Sequence, residues 1–269
     1  MADNPLFNVE IPESAGQVAK DVYNDLGHPI STELGQAAGT VLGLLNTALT
    51  PIKLLNSVAK AKADKFISDY QEGLSSIPKE KYCDPNPVLI GPMAEHAKYK
   101  ITEDTLRESC LVLMLASSNS DNLCKPLLAF DNILNQLTPI EVKLLKHLFF
   151  SLPKQVYPVS NIKKISDSGF NIVYRNLTNI KYDNLSSDNL ATILSNYERL
   201  GIIKIDMLNY VGNGIEHYKY VKQSQTFKKL EEYYQIIKSY SSQNIRLDFE
   251  TGSFSTTVLG ESFVQTVFS

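Results

Sequence analysis

Glu95, His96 and Arg107 are the residues of this chain whose types could do proton chemistry at close sequence spacing. A carboxylate beside an imidazole suits general acid–base catalysis, and a guanidinium suits holding an anion or a developing negative charge. Adjacent residues on a helix do not face one another, so the neighbouring positions of Glu95 and His96 do not join them into a site. Arg107 lies one turn into the following helix and is expected to meet Glu95 as a buried ion pair. In that structural role, loss of one partner costs about 3–5 kcal/mol without any catalysis. His28, His96, His147 and His217 share no metal-ligand spacing, and Cys83, Cys110 and Cys124 match neither a disulfide framework nor a zinc signature. Cys110 precedes the apolar run 111–115 and reads as a small buried hydrophobe. No nucleophile, metal cluster or phosphate loop accompanies these groups. The expectation is therefore a protein with no catalytic residues, no metal, no cofactor and no enzymatic activity.

The spacing of three glycines is the stronger signal. Gly35, Gly39 and Gly43 recur every four residues inside the long uncharged stretch 34–52, between Glu33 and Lys53. A helix places all three on one face, and each costs about 1 kcal/mol relative to alanine, so another backbone is expected to approach that face closely. Three readings follow: tight packing among the protein's own helices, association with a partner or a second copy, or conditional entry into a membrane. Constitutive spanning is opposed by Gln36, Asn46, Pro51 and the glycines themselves.

The elements that must position these residues are mostly helical. Ser14 and Gln17 have capping-box spacing ahead of a helix that Gly27 stops, and a second helix is expected to run to about Thr50. Beyond Pro51 an amphipathic segment to about Glu72 carries Lys53, Lys60, Lys62 and Lys65. Residues 75–87, with Pro78, Pro85 and Pro87, read as a connection. Thr102 is placed to cap a helix with Glu103 and Asp104 in its first turn, apolar on all sides over 111–116. A polar loop spans 117–122 and a further helix 127–137. Thr138, Pro139, Ile140 and Glu141 form a capping box with proline at the first helical position, predicting a helix over 139–150.

A short segment near 160–165, an irregular insertion near 166–186 and a helix over 188–200 ended by Gly201 come next. Strand-like runs at 202–206 and 218–221 then flank a turn with Gly212 and Gly214. Helix, short helix, helix and two-stranded ribbon is the order of a winged helix-turn-helix. A helix near 227–240, a strand near 245–249 and a helix over 258–268 close the chain. The fold class expected is mainly α: helical regions over 1–80 and 81–136, and a winged-helix-like α+β region over 137–269.

The 269 residues carry a net charge of only −3, which argues against a global field for nucleic acid or anionic membrane. From Leu137 onward 15 Lys and Arg stand against 12 Asp and Glu, leaving 11 against 17 before it. The opening Met-Ala-Asp-Asn-Pro has no basic segment followed by an apolar run, so cytoplasmic residence is expected, with a peripheral place at the inner membrane face as the conditional alternative.

The string VLIGPMAEHAKYKITEDTLRESCLVLMLASSNS at 88–120 resembles the hallmark region of the Abi-alpha family of bacterial proteins linked to abortive infection. LGLLNTALTPIKLL at 42–55, the helix over 137–148 and the ending with Gly260 and Phe263 are similar to the family as well. The insertion near 166–186 has no counterpart in that resemblance. It implies a cytoplasmic, largely helical protein of phage resistance and brings no catalytic residues. The matching positions include Gly91, Pro92, Glu95, Lys98, Tyr99, Leu106, Arg107, Ala116, Ser117 and Ser118, of which Gly91, Pro92, Glu95, Tyr99, Arg107, Ser117 and Ser118 are the structural or interaction candidates.

Two functions follow from these readings. The first is a non-enzymatic phage-defence protein acting through self-association, a protein partner or conditional membrane engagement at Gly35, Gly39 and Gly43. The alternative is a regulator that binds nucleic acid through the winged-helix-like region, with Lys163, Lys164, Lys219 and Lys222 toward phosphates. Its reading helix carries Asp188 and Glu198 against Arg199, with Asn189 and Asn196 as its amides, a poor complement for base edges.

Overall fold

The computed structural model describes residues 36–151, 156–209, 211, 215–240 and 244–268, Gln36, Ala37 and Ile215 by backbone alone. The helix expected over 14–26, Gly27, Gly35, and the turn of Gly212 and Gly214 lie outside the described residues.

The uncharged stretch forms α1 (Gln36–Lys53), with Pro51 in its last turn. A turn at Leu54 and Leu55 follows, and Asn56 caps α2 (Ser57–Ser76) by accepting from the Ala59 amide at 2.8 Å. Helix α3 (Pro87–Ala97) begins with proline in its first turn behind an Asn86 cap. Helix α4 (Asp104–Ala116) starts one residue later than Thr102 could cap it: Glu103 holds the cap position without a side-chain bond. The Thr102 carbonyl accepts instead from Lys62 Nζ. Helix α5 (Leu127–Asn135) precedes α6 (Pro139–Lys146), where the expected capping box is complete: Thr138 and Glu141 each accept from the other's backbone amide. The helix expected to reach 150 changes pitch at 147 and ends as a π turn, His147–Ser151.

The C-terminal region departs from expectation in two places. Segment 156–178 is a β-hairpin rather than a short helix and an irregular insertion: β1 (Val156–Ser166) pairs antiparallel with β2 (Gly169–Thr178). The run 218–221 is helical rather than a strand, falling in a 3-10 turn (Ile215–Tyr218) and the short α8 (Tyr220–Gln223). Its place beside β3 (Ile203–Asp206) is taken by β4 (Arg246–Thr256), which pairs antiparallel with both β3 and β1. The sheet order is β2-β1-β4-β3. Helix α7 (Ser187–Arg199) forms as expected, and Gly201, at φ +72°, ends it. Helices α9 (Gln225–Tyr240) and α10 (Val258–Val267) complete the fold.

One face of the sheet, through Tyr157, Val159, Ile203 and Phe254, joins an apolar core shared with α1–α7 and α10. The other face, through Ile162 and Leu177, packs on Tyr218, Val221 and Phe227. Alternation along β1 explains the division, since residues two apart share a face. A register shift at Asn161 interrupts the hairpin ladder, and its side chain repairs it by accepting from the Asn176 amide at 3.0 Å. Asn176, at φ +58°, then donates from Nδ2 to Ser195 Oγ on α7 at 2.9 Å.

Helix α10 enters the helical core, where Phe263 meets Phe130 edge to face at 5.7 Å. Its first turn lies against Ile202, whose carbonyl accepts from the Thr257 amide at 3.0 Å. A Cβ on Gly260 would stand 2.7 Å from the Ile202 carbonyl carbon, backbone that cannot turn aside. Gly260→Ala should therefore lower stability by about 1–3 kcal/mol in urea unfolding, or prevent folding.

Burial pushes the Cys110 thiol from its usual 9.0 up to about 12, with Lys100 countering part of the rise, and burial pushes the Tyr70 hydroxyl up to about 12. An acid whose pKa rises on folding stabilises the fold while protonated. That contribution is whole below pH 9 and is lost as pH rises toward 12. Stability in urea should fall above pH 9 by about 1.4 kcal/mol per pH unit for each group in its window, and Cys110→Ala should make the decline shallower.

Candidate functional site

The hallmark region forms α3, α4 and the turn between them, and its side chains divide into two kinds. Gly91, Pro92, Glu95 and Tyr99 lie on an outer strip, with Pro92, Glu95 and Tyr99 exposed. Glu95 accepts from Lys98 at 2.5 Å, one helical turn away, and Lys98 Nζ lies over the Tyr99 ring at 5.0 Å. Arg107 is bonded to Asp104 at 2.7 Å. The buried Glu95–Arg107 pair expected from the sequence is thus not formed, because each residue finds a partner three positions away on its own segment.

The buried charges are elsewhere. His96 Nδ1 lies 2.6 Å from Asp131 Oδ2, and Lys100 Nζ donates to Asn135 Oδ1. His96 and Lys100 stand four residues apart, as do Asp131 and Asn135, so two successive turns of one segment meet two of α5. Asp131 is 3% exposed and Lys100 5%. Burial lowers the Lys100 pKa, while Cys110 and Asp131 oppose the shift. This quartet fixes α3 against α5 through a buried carboxylate, although Asp131 does not stand out in the sequence. The matching four-residue spacings were the available signal.

Ser117 and Ser118 end α4 under the segment 81–85. Ser117 Oγ donates to the Met114 carbonyl at 2.6 Å. The Ser118 carbonyl accepts from the Cys83 amide at 3.0 Å, and the Ser120 amide donates to the Lys81 carbonyl at 2.8 Å. The connection read from its prolines is thus strapped to the end of α4 by backbone pairing, including a bridge between Tyr82 and Asn119. Beneath it, the hydroxyls of Tyr70, Tyr82 and Ser118 are buried without a hydrogen-bond partner among the described residues. Ser118 faces Tyr70 closely enough to offset part of its raised pKa, yet the two do not reach hydrogen-bonding geometry.

Gly39 and Gly43 are exposed on α1, and a Cβ on either would meet nothing within 4 Å. The close approach expected from their spacing is not supplied by the described residues of this chain. Ala38, Val41, Leu42, Leu45 and Leu49 form the opposite, buried face. No described helix is long and apolar enough to cross a membrane.

On α7 the groups that would read bases are engaged in the fold. Asn189 closes the capping box with Ser186, Asn196 Nδ2 donates to Glu141 at 2.7 Å, and Arg199 bonds Asn196 and Gln136. Lys163 lies 3.6 Å from Glu250, and Lys219 pairs with Glu216.

No curated protein and no solved structure matches the chain. The family described as abortive infection alpha matches residues 58–267. That span takes in the hallmark region, the His96–Asp131 and Lys100–Asn135 contacts, the hairpin over 156–178, the rest of the stretch to 186, and α10. Helix α1 and the stretch 42–55 fall outside it. With more than three-quarters of its length matched, the chain belongs to the abortive infection alpha family.

Proposed function

We propose that this protein defends a bacterial cell against phage by contact rather than catalysis, through self-association on the outward face of α1. The family supplies the link to abortive infection. The open glycines supply the contact and are the observation that carries it. Each of Gly39 and Gly43 costs the helix about 1 kcal/mol relative to alanine, and no described neighbour occupies the space gained. A second α1 laid across this face would bring backbone to backbone, as small residues four apart permit. Leu44, 36% exposed, borders the same face and adds apolar area.

The local pairing of Glu95 and Arg107 supports a role without catalysis, since neither is held against a group that could share its chemistry. The winged-helix-like reading is supported by the succession of α7, β3 and a paired strand, but the engaged amides of α7 favour a protein contact over base readout.

Gly39→Leu should leave the monomer folded, because no described residue fills the space, and Gly39→Ala should raise stability by about 0.5–1 kcal/mol. Gly39→Leu should also shift sedimentation toward the monomer and abolish protection against phage. A folded Gly39→Leu protein that still protects would refute the contact. Glu95→Gln separates the enzymatic reading from this one: it should change stability by less than about 0.5 kcal/mol and keep protection. Asp131→Ala should cost about 3–5 kcal/mol and lose protection through unfolding.

A further inference from the structure

The turn between α1 and α2, with the first turn of α2, exposes three apolar side chains within five residues: Leu54 at 81%, Leu55 at 68% and Val58 at 66%. This exposure is built, not frayed. The Leu54 amide donates to the Thr50 carbonyl at 3.2 Å and the Leu55 amide to the Ile52 carbonyl at 3.1 Å, while Asn56 caps α2. Lys53 precedes the tip, and Lys60, Lys62 and Lys65 follow it along α2. Residues 53–65 hold Lys53, Lys60, Lys62 and Lys65 against Asp64 alone, a net charge of +3 in a chain whose total is −3, so the remainder carries −6. Lys53 pairs with Asp64 at 2.8 Å. Lys60 and Lys65 are exposed and make no ion pair among the described residues.

Behind the tip lies a groove of about 520 Å³, lined by Val58, Ala61, Lys62 and Lys65 of α2 and by Asp104 and Arg107 of α4. Asp104 is shared between Arg107 at 2.7 Å and Lys62 at 3.8 Å, so its single charge faces two cations.

We infer that this tip docks on a bilayer containing anionic lipid, with Leu54, Leu55 and Val58 entering the headgroup–acyl boundary and the lysines resting on lipid phosphates. Apolar side chains at the point of a basic surface match an interface that is apolar within and negative outside. A second copy is a poorer occupant. Three side chains fall far short of the roughly 800 Å² per partner that a stable protein interface buries, and the exposed Lys60 and Lys65 of two such tips would repel one another. The inference uses neither the glycine face nor the family assignment.

The chain has no tryptophan, so Leu55→Trp places a single reporter at the tip and Tyr233→Trp a control on α9. The full chain is mixed with vesicles of phosphatidylcholine alone, or with about one-third phosphatidylglycerol. Emission of Leu55→Trp should shift to the blue with the anionic vesicles only, and the control should not move. Co-sedimentation of the unmodified protein with those vesicles should weaken at least about tenfold in Lys60→Glu/Lys65→Glu, in Leu54→Ser/Leu55→Ser, and at about 0.5 M salt. Absence of vesicle binding overturns the inference, as does equal binding to neutral vesicles or binding that ignores these substitutions. If vesicles are ignored but the tip substitutions change the sedimentation of the protein alone, the surface belongs to a second copy and the lipid assignment fails.

Discussion

Ile202 is the point at which the sheet and the helical core are made one structure. Its amide donates to the Tyr197 carbonyl, finishing α7, and its carbonyl accepts from Thr257, where α10 begins. Thr257 Oγ1 also donates to the Gly201 carbonyl at 2.5 Å and accepts from the Gly260 amide at 2.9 Å. The bare Cα of Gly260 lets these backbones close together, and α10 can then deliver Phe263, Val264 and Val267 into the core. Glu141 makes the next connection. It closes its own capping box, accepts from Asn196, and its carbonyl accepts from the Tyr197 hydroxyl, so α6 and α7 are held by one residue.

Glycine thus serves opposite ends in one chain. At Gly260 the missing side chain is filled by the protein's own backbone. At Gly39 and Gly43 the missing side chains leave room that the described chain does not use. The two cases are indistinguishable by residue type, and only the surroundings separate an internal joint from an outward face.

The same distinction explains what the sequence could disclose. The capping box at Thr138 was legible because its hydrogen bonds close within four residues, whereas the box at Ser186, with Asn189 in place of Glu or Gln, was not. The amphipathic α7 was legible because Leu190, Ile193, Leu194 and Tyr197 repeat at helical period. The hairpin was not. Asn161 and Asn176 break its alternation at the point where they repair the ladder, and Gly169 and Asn176 adopt positive φ that reads as loop. The run 218–221 is rich in β-favouring residues, yet the Tyr218 hydroxyl donates to the Gly252 carbonyl at 2.7 Å and fixes it as a turn across the sheet face. At the candidate site, type and spacing drew attention to Glu95 and Arg107. The buried partner of His96 is Asp131, thirty-five residues away, and only the packing of α3 on α5 brings them together.

The position of α10 also bears on how the chain is made. Phe130 leaves the ribosome 133 residues ahead of the Phe263 ring that covers it. At about 5–20 residues per second, the nascent helical region waits on the order of 10 s with its central apolar surface open. During that interval the core lacks Phe263, Val264 and Val267. An interruption of translation in that window leaves a chain that has the residues of α1–α4 and lacks the element that closes their core.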